Sequence, residues 1–162
     1  PPLLINVTAH LANGDQTVIL LNNHFLSLSQ GEEVTEPVRT AQAAWNVDVI
    51  AELSAENPDA LFVVLGDLNS FYDTLPLNTL EDAGLQHVYR FLADEERPYT
   101  YIFEGRTQTL DHIVVSPDLF DQLALVEVLH TNANYPIGAP EDNSPRRVSD
   151  HDPLVAIFDF GE

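Results

Sequence analysis

The alternation of apolar and polar positions divides the chain into strands, two helices and one long irregular stretch. Leu3 to Ala9 and Gln16 to Asn22 read as strands, and Asn13-Gly14-Asp15 between them is a turn signal, so the pair predicts a hairpin. Leu28 to Thr35 is polar and reads as a loop. A helix is predicted from about Glu36 to Glu56, with Thr35 as its cap and Pro37 in its first turn. Val38, Ala41, Trp45, Val49 and Leu53 recur at helical spacing and form its expected apolar face, with Arg39, Gln42 and Asn46 elsewhere. Asn57-Pro58 ends it.

Leu61 to Leu65 is a continuous apolar run, the mark of a strand buried on both faces. Leu75 to Ala83 is a short helix stopped by Gly84. Tyr99 to Phe103, Thr109 to Val115, Leu125 to His130 and Leu154 to Phe160 are further strands, and Asn134 to Arg147 is a long loop. Strands dominate and no linker divides the chain, which predicts an α/β layered architecture around a largely buried sheet.

Composition narrows the chemistry. Cysteine is absent, which excludes disulfides and thiolate metal sites. A bound metal would rest on histidine and carboxylates, and magnesium, calcium or manganese is satisfied by oxygen alone. The formal net charge is −20, and the six basic residues are all arginine. Such a surface repels nucleic acid unless cations or a basic segment intervene, although a bound dication reverses the sign locally. Most of the acid excess reads as a solubility feature of a secreted or salt-exposed protein. No apolar stretch is long enough to cross a membrane. Without a methionine, residue 1 is not read as a translation start, and the chain is expected to be a fragment, a processed product or an excised domain.

Four segments place acids, amides and histidines at or beside strand ends: Asn23-His24-Phe25, Gly66-Asp67-Leu68-Asn69, Leu110-Asp111-His112 and Ser149-Asp150-His151-Asp152. Polar groups at strand ends are a usual way to build a site on a sheet. Taken singly, each has a plain structural reading. His24 alone reads better as a satisfied strand-end histidine. Asp67 and Asn69 suit a turn. Asp111, in an apolar segment, needs a partner of some kind. Asp150 and Asp152 suit a loop. Together the plain readings require four coincidences.

The order and spacing of these segments resemble the endonuclease/exonuclease/phosphatase (DNase I-like) superfamily. Gly66-Asp67-Leu68-Asn69 resembles its G-D-[FL]-N segment, Leu110-Asp111-His112-Ile113 its L-D-x-[IV] segment, and Ser149-Asp150-His151-Asp152-Pro153 its S-D-H-x-P signature. His24 matches the family's strand-end histidine. The run from Tyr99 to Gly105 and the segment His130-Thr131-Asn132-Ala133-Asn134 are similar to the branch of predicted bacterial extracellular nucleases.

The resemblance implies half of a four-layer α/β/β/α sandwich, with a mostly antiparallel or mixed sheet and helices on one face. It implies that residues 1–162 are the C-terminal portion of one domain whose N-terminal half, with its glutamate metal ligand, is absent. It further implies divalent-metal-dependent phosphodiester hydrolysis of DNA or RNA, with Mg2+ or alternatively Ca2+ or Mn2+. Asp150 and Asp67 would bind the metal. His151 would act as general base, charged and oriented by Asp111, with Asn69 bonding water or phosphate and His24 donating to phosphate or leaving group. Such a fragment is expected to be inactive alone and to leave apolar sheet surface for a missing half or a second copy to cover. Two other readings stay open: a phosphomonoesterase or phospholipase-type relative acting on inositol phosphates or sphingomyelin, and a non-catalytic acidic binding module. An extracellular bacterial location is expected. His112 and His130 are assigned to sheet or surface, and Asp152 to support of the site. Arg146 and Arg147 suit either a phosphate or a solvated loop.

Overall fold

The computed structural model describes residues 2–12, 14–92 and 98–161. The first strand, β1 (Leu3–Leu11), turns back into β2 (Gly14–His24) as the predicted hairpin, pairing Leu11 with Gly14 and Leu3 with Asn22; Asn13 itself lies outside the described residues. Then follow α1 (Glu32–Glu56), β3 (Leu61–Asp67), α2 (Leu75–Asp82) and the short β4 (Gln86–His87). A hairpin of β5 (Tyr101–Phe103) and β6 (Arg106–Gln108) precedes β7 (Asp111–Val115), the single-turn helix α3 (Pro117–Phe120), β8 (Leu123–Val128) and β9 (Leu154–Phe158).

The main sheet has the order β1-β2-β3-β7-β4 and is mixed: β2 runs parallel to β3, while β1, β7 and β4 are antiparallel to their neighbours. The continuous apolar run at Leu61 to Val64 is buried, as its composition demands of a central strand. One face, through Ile19, Leu21, Phe62 and Val64, packs against α1 and α2; the other, through Leu61, Val63 and Val115, packs against the β8–β9 hairpin. The fold is α/β with a mixed sheet, as the strand pattern predicted. Truncating a fully buried leucine such as Leu21 or Leu68 costs about 2–5 kcal/mol. Among the described residues no helix is long and apolar enough to cross a membrane.

The helix α1 departs from its prediction in two ways. It begins at Glu32, one turn early, after a 3-10 turn over Leu28–Gln30 and with Gly31 as N-cap. Thr35 therefore lies inside the helix and bonds the Gly31 carbonyl through Oγ1 (2.8 Å), and Pro37 is interior too. The buried face is also rotated: Thr35, Arg39, Ala43 and Asn46 are buried, while Val38 and Trp45 are 48% and 45% exposed. Only Val49 and Leu53 of the expected face join the core. The reason is polar pairing, which hydrophobic periodicity cannot register. The Asn46 and Asn23 amides bond each other reciprocally (3.0 and 3.1 Å), and Gln42 Oε1 accepts from Leu26 N–H (3.0 Å). A polar stripe on α1 thus grips the end of β2.

The C-terminal elements follow expectation with shifted ends. The strand expected at Tyr99 begins at Tyr101, that expected at Thr109 begins at Asp111, and Arg106–Gln108 forms a strand of its own. Its turn, Glu104-Gly105, takes positive φ at both residues (49° and 76°), the geometry of a tight hairpin. Residues 134–147 form turns without helix or strand.

Candidate active site

The sheet's register places the site. Because β2 and β3 are parallel and β7 is antiparallel, the C-terminal ends of β2 and β3 meet the N-terminal end of β7. His24 lies opposite Asp67, and Asp67 opposite Asp111, so three adjacent strands present these side chains as a row. Gly66 makes the close approach possible: its φ is +123°, and an added Cβ would sit 2.0 Å from the Asn23 carbonyl oxygen. Only glycine fits there. Beyond Asp67 the chain turns sharply at Asn69, in the left-handed region at φ 46°. Asp67 Oδ1 accepts from Asn69 N–H (2.9 Å), and Asn69 Nδ2 donates to the Phe25 carbonyl (3.1 Å). Asn69 is buried, so part of its work is to fasten the β3 exit to the end of β2.

His151 arrives from a distant segment. Its Nδ1 lies 2.6 Å from Asp111 Oδ2, and its ring stacks on Tyr101 with centroids 4.6 Å apart. The hydrogen bond that His151 donates to Asp111, opposed by partial burial, raises the His151 pKa above its ordinary value. Burial raises the Asp67 pKa, with Asp111 adding to the effect and the Asn69 N–H, His151 and His24 opposing it. His24 Nε2 stands 3.4 Å from Asp67 Oδ2. One ligand atom from each of Asp67, Asp111 and His151 falls within a 4.8 Å span. The carboxylates suit a hard divalent cation such as Mg2+, Ca2+ or Mn2+, whereas the His151 Nδ1 is taken up by its bond to Asp111. Asp150 is exposed and lines the same cleft, at its rim and outside that convergent trio. The six residues singled out in the sequence therefore share one cleft of about 940 Å³.

Several supporting residues lie in segments that the resemblance marked but have no role legible in the sequence. Thr100 is fully buried, and its Oγ1 accepts from the N–H groups of Leu110 and Asp111 (3.2 Å each), while its carbonyl accepts from Asp152 N–H (2.7 Å). One residue thus fixes both partners of the Asp111–His151 pair. Asn132, from the His130–Asn134 segment, donates through Nδ2 to the His151 carbonyl (2.8 Å) and accepts from Val148 N–H at Oδ1 (3.2 Å). Ser149 Oγ accepts from His151 N–H (3.1 Å). A threonine or asparagine in a loop is ordinary in composition, and only tertiary partners reveal these roles.

The remaining assignments resolve structurally. His112 is buried behind the site, its Nε2 donating to the Ser70 carbonyl (2.8 Å) and its Nδ1 accepting from His87 Nε2 (2.7 Å). Burial lowers its pKa to about 4. Asp152 supports the loop, accepting at Oδ1 from the N–H groups of Asn132 and Ala133 and at Oδ2 from His130. Arg147 donates to the Asn132 and Ala133 carbonyls, and Arg146 sits over the Tyr135 ring at 4.9 Å, so both are engaged within the loop.

Comparison with known proteins bears on the family and the fold. The model of the Endonuclease/Exonuclease/phosphatase family matches residues 3–151. Comparison with curated proteins finds no match. Among solved structures, truncated Caenorhabditis elegans TDP2 is 21% identical, with a TM-score of 0.61 over 96% of this chain and 58% of that one. The 3'-5' exonuclease NExo from Neisseria meningitidis is 22% identical, with a TM-score of 0.59 over 96% of this chain and 65% of that one. An AP endonuclease from Archaeoglobus fulgidus is 17% identical, with a TM-score of 0.58 over 95% and 65%. At such identities these likenesses establish the fold, and the chain spans less than two thirds of each of these structures.

Proposed function

The chain belongs to the endonuclease/exonuclease/phosphatase family, and from that premise we propose that the protein hydrolyses phosphodiester bonds of nucleic acid with the help of a divalent cation. The observation that carries this reading is the Asp111–His151 pair at 2.6 Å, set in the cleft that Asp67 and His24 also line. Asp111 accepts at its Oδ2 and so sets Nδ1 of His151 as the protonated nitrogen, which leaves Nε2 free to take a proton from water. The raised basicity of His151 favours that transfer. His24, with 74% of its side chain exposed, is placed to donate to a phosphate oxygen or to the departing alkoxide. Asp67 and the rim residue Asp150 are the carboxylates that would hold the cation. When bound, a divalent cation neutralises phosphate charge and lowers the pKa of water.

The bare sheet edge supports a second part of the proposal. Leu3, Ile5 and Val7 alternate along β1 on the face that the β8–β9 hairpin leaves open, and are 61%, 39% and 44% exposed. We infer that residues 1–162 form the C-terminal portion of the domain, that an upstream half or a second copy covers this stripe, and that residues 1–162 alone are inactive. The acidic surface fits a protein working outside the cell.

The test is nicking of supercoiled plasmid by the full-length protein with Mg2+. The reading expects nicking, its loss with EDTA, and a decrease of about 10²–10⁴-fold in His151→Ala. Release of phosphate from inositol phosphates without any nicking would favour a phosphomonoesterase. Indifference of every phosphoester to protein and to His151→Ala would leave a non-catalytic binding module.

A further inference from the structure

Three aromatic rings lead out of the catalytic centre. The His151 imidazole stacks on Tyr101 (4.6 Å between centroids, planes 27° apart), and Tyr101 in turn lies 6.5 Å from Phe103 with planes only 18° apart. Tyr101 and Phe103 are two apart on β5 and so project from the same face of the strand. The row passes from the half-buried His151 and Tyr101 to Phe103, which is 52% exposed. The tight turn at Glu104-Gly105 holds that ring at the cleft's mouth, and Phe71, Leu28 and Leu110 continue the apolar lining.

The same cleft is short of cations. Among the described residues that line it there is no lysine or arginine, and Glu32 and Asp150 add negative charge. The described arginines do not line it: Arg39 is buried, with only its Nη1 bonded (to Thr35), Arg90 pairs with Glu81, and Arg146 and Arg147 are held within their loop. Arg106 stands opposite Phe103 in the hairpin but does not line the cleft, and Arg97 is outside the described residues. Grip on a duplex rests mainly on basic side chains that neutralise successive phosphates. Among the described residues lining the cleft that grip is missing, whereas flat rings bind bases by stacking and need no charge.

Building on the hydrolytic reading above, we propose that the cleft selects nucleic acid with unpaired bases, seating a base against Phe103 on the aromatic row beside the scissile phosphodiester. The Tyr101 and Phe103 rings lie within 18° of parallel, 6.5 Å apart between centroids as alternate residues of one strand, so they present flat faces on one side of β5 against which a base can stack. A paired base offers only its edge, and turning it out of the helix costs a few kcal/mol. Stacking on phenyl rings tolerates every base, so selection falls on strandedness and not on sequence.

The experiment compares three labelled oligonucleotides with the full-length protein and Mg2+: a single strand, the same strand in a blunt duplex, and the same strand with abasic residues around the cleavage position. The expected result has three parts. The single strand is cut at least tenfold more efficiently than the duplex. The ratio of kcat/KM between base-bearing and abasic strands falls about tenfold in Phe103→Ala, mostly through KM. That ratio returns in Phe103→Trp. Equal or better cleavage of the duplex, with the ratio unmoved by Phe103→Ala, would overturn the inference while leaving the hydrolytic reading intact. Absence of cleavage of any nucleic acid by the wild-type protein would overturn both.

Discussion

Two aspartate–histidine pairs in this molecule are built from the same parts and surrounded differently. In one, His151 bonds Asp111 at 2.6 Å and stacks on Tyr101; in the other, His130 bonds Asp152 at 2.8 Å and stacks on Tyr99, with centroids 4.3 Å apart. The two tyrosines flank Thr100. The difference lies in what the carboxylate has left to do. Asp152 has no side-chain exposure, and its oxygens are taken by two backbone N–H groups and His130. Asp111 accepts one side-chain bond and lines the cleft with Asp67 beside it. A motif of donor, acceptor and ring is therefore insufficient to mark chemistry; an unfilled neighbourhood marks it.

The largest test of that contrast is Asp111→Asn in the full-length protein. Activity on plasmid should fall about 10²–10⁴-fold with folding retained. In the metal-free protein, an NMR titration should place the His151 pKa above 6.5 in the wild type and lower in the variant, because the Asp111 hydrogen bond is the largest cause of the rise. A His151 pKa unmoved by the substitution would break the assignment. Next in size is Asp152→Ala, which strands two N–H groups and His130. It should cost roughly 2–4 kcal/mol in urea denaturation, since each orphaned buried donor costs about 1–3 kcal/mol. An unchanged midpoint would refute the structural role.

The smallest effect is on pH. Burial alone would raise the Asp152 pKa, but bonds from His130, Asn132 and Ala133 outweigh it and leave the pKa below its ordinary 3.8. Its contribution to stability is thus present above pH 3.8 and lost as pH falls through the lower folded value. His151, with a raised pKa, contributes the opposite way: its share is full below 6.5 and is lost as pH rises through the higher folded value. Denaturation midpoints across pH 3 to 8 should therefore lose their acid sensitivity in Asp152→Ala and their neutral sensitivity in Asp111→Asn.

How much of this was legible in the sequence differed by kind of residue. The apolar run Leu61–Leu65 announced the central strand, because burial leaves few other residue types, whereas the close backbone approach that requires Gly66 inside β3 was not read from it. The four polar segments announced the row His24, Asp67, Asp111 and the incoming His151, whose order along the chain survives folding. The face of α1 was not legible: Val38, Ala41 and Trp45 outweigh Arg39 and Asn46 on any hydrophobic count, yet amide pairs with β2 set the packing. The roles of Thr100 and Asn132 were not legible either, although the resemblance marked their segments, because they act through backbone groups that no side-chain pattern encodes.

The position of Thr100 has a consequence for synthesis. His151 and Asp111 lie 40 residues apart, and Thr100 ties their segments together, its hydroxyl to the Asp111 N–H and its carbonyl to the Asp152 N–H, only once the segment before β9 has docked. A nascent chain therefore presents His24, Asp67 and Asp111 before His151 can reach them. The Asp111–His151 pair forms only after the segment that carries His151 has been made and has docked.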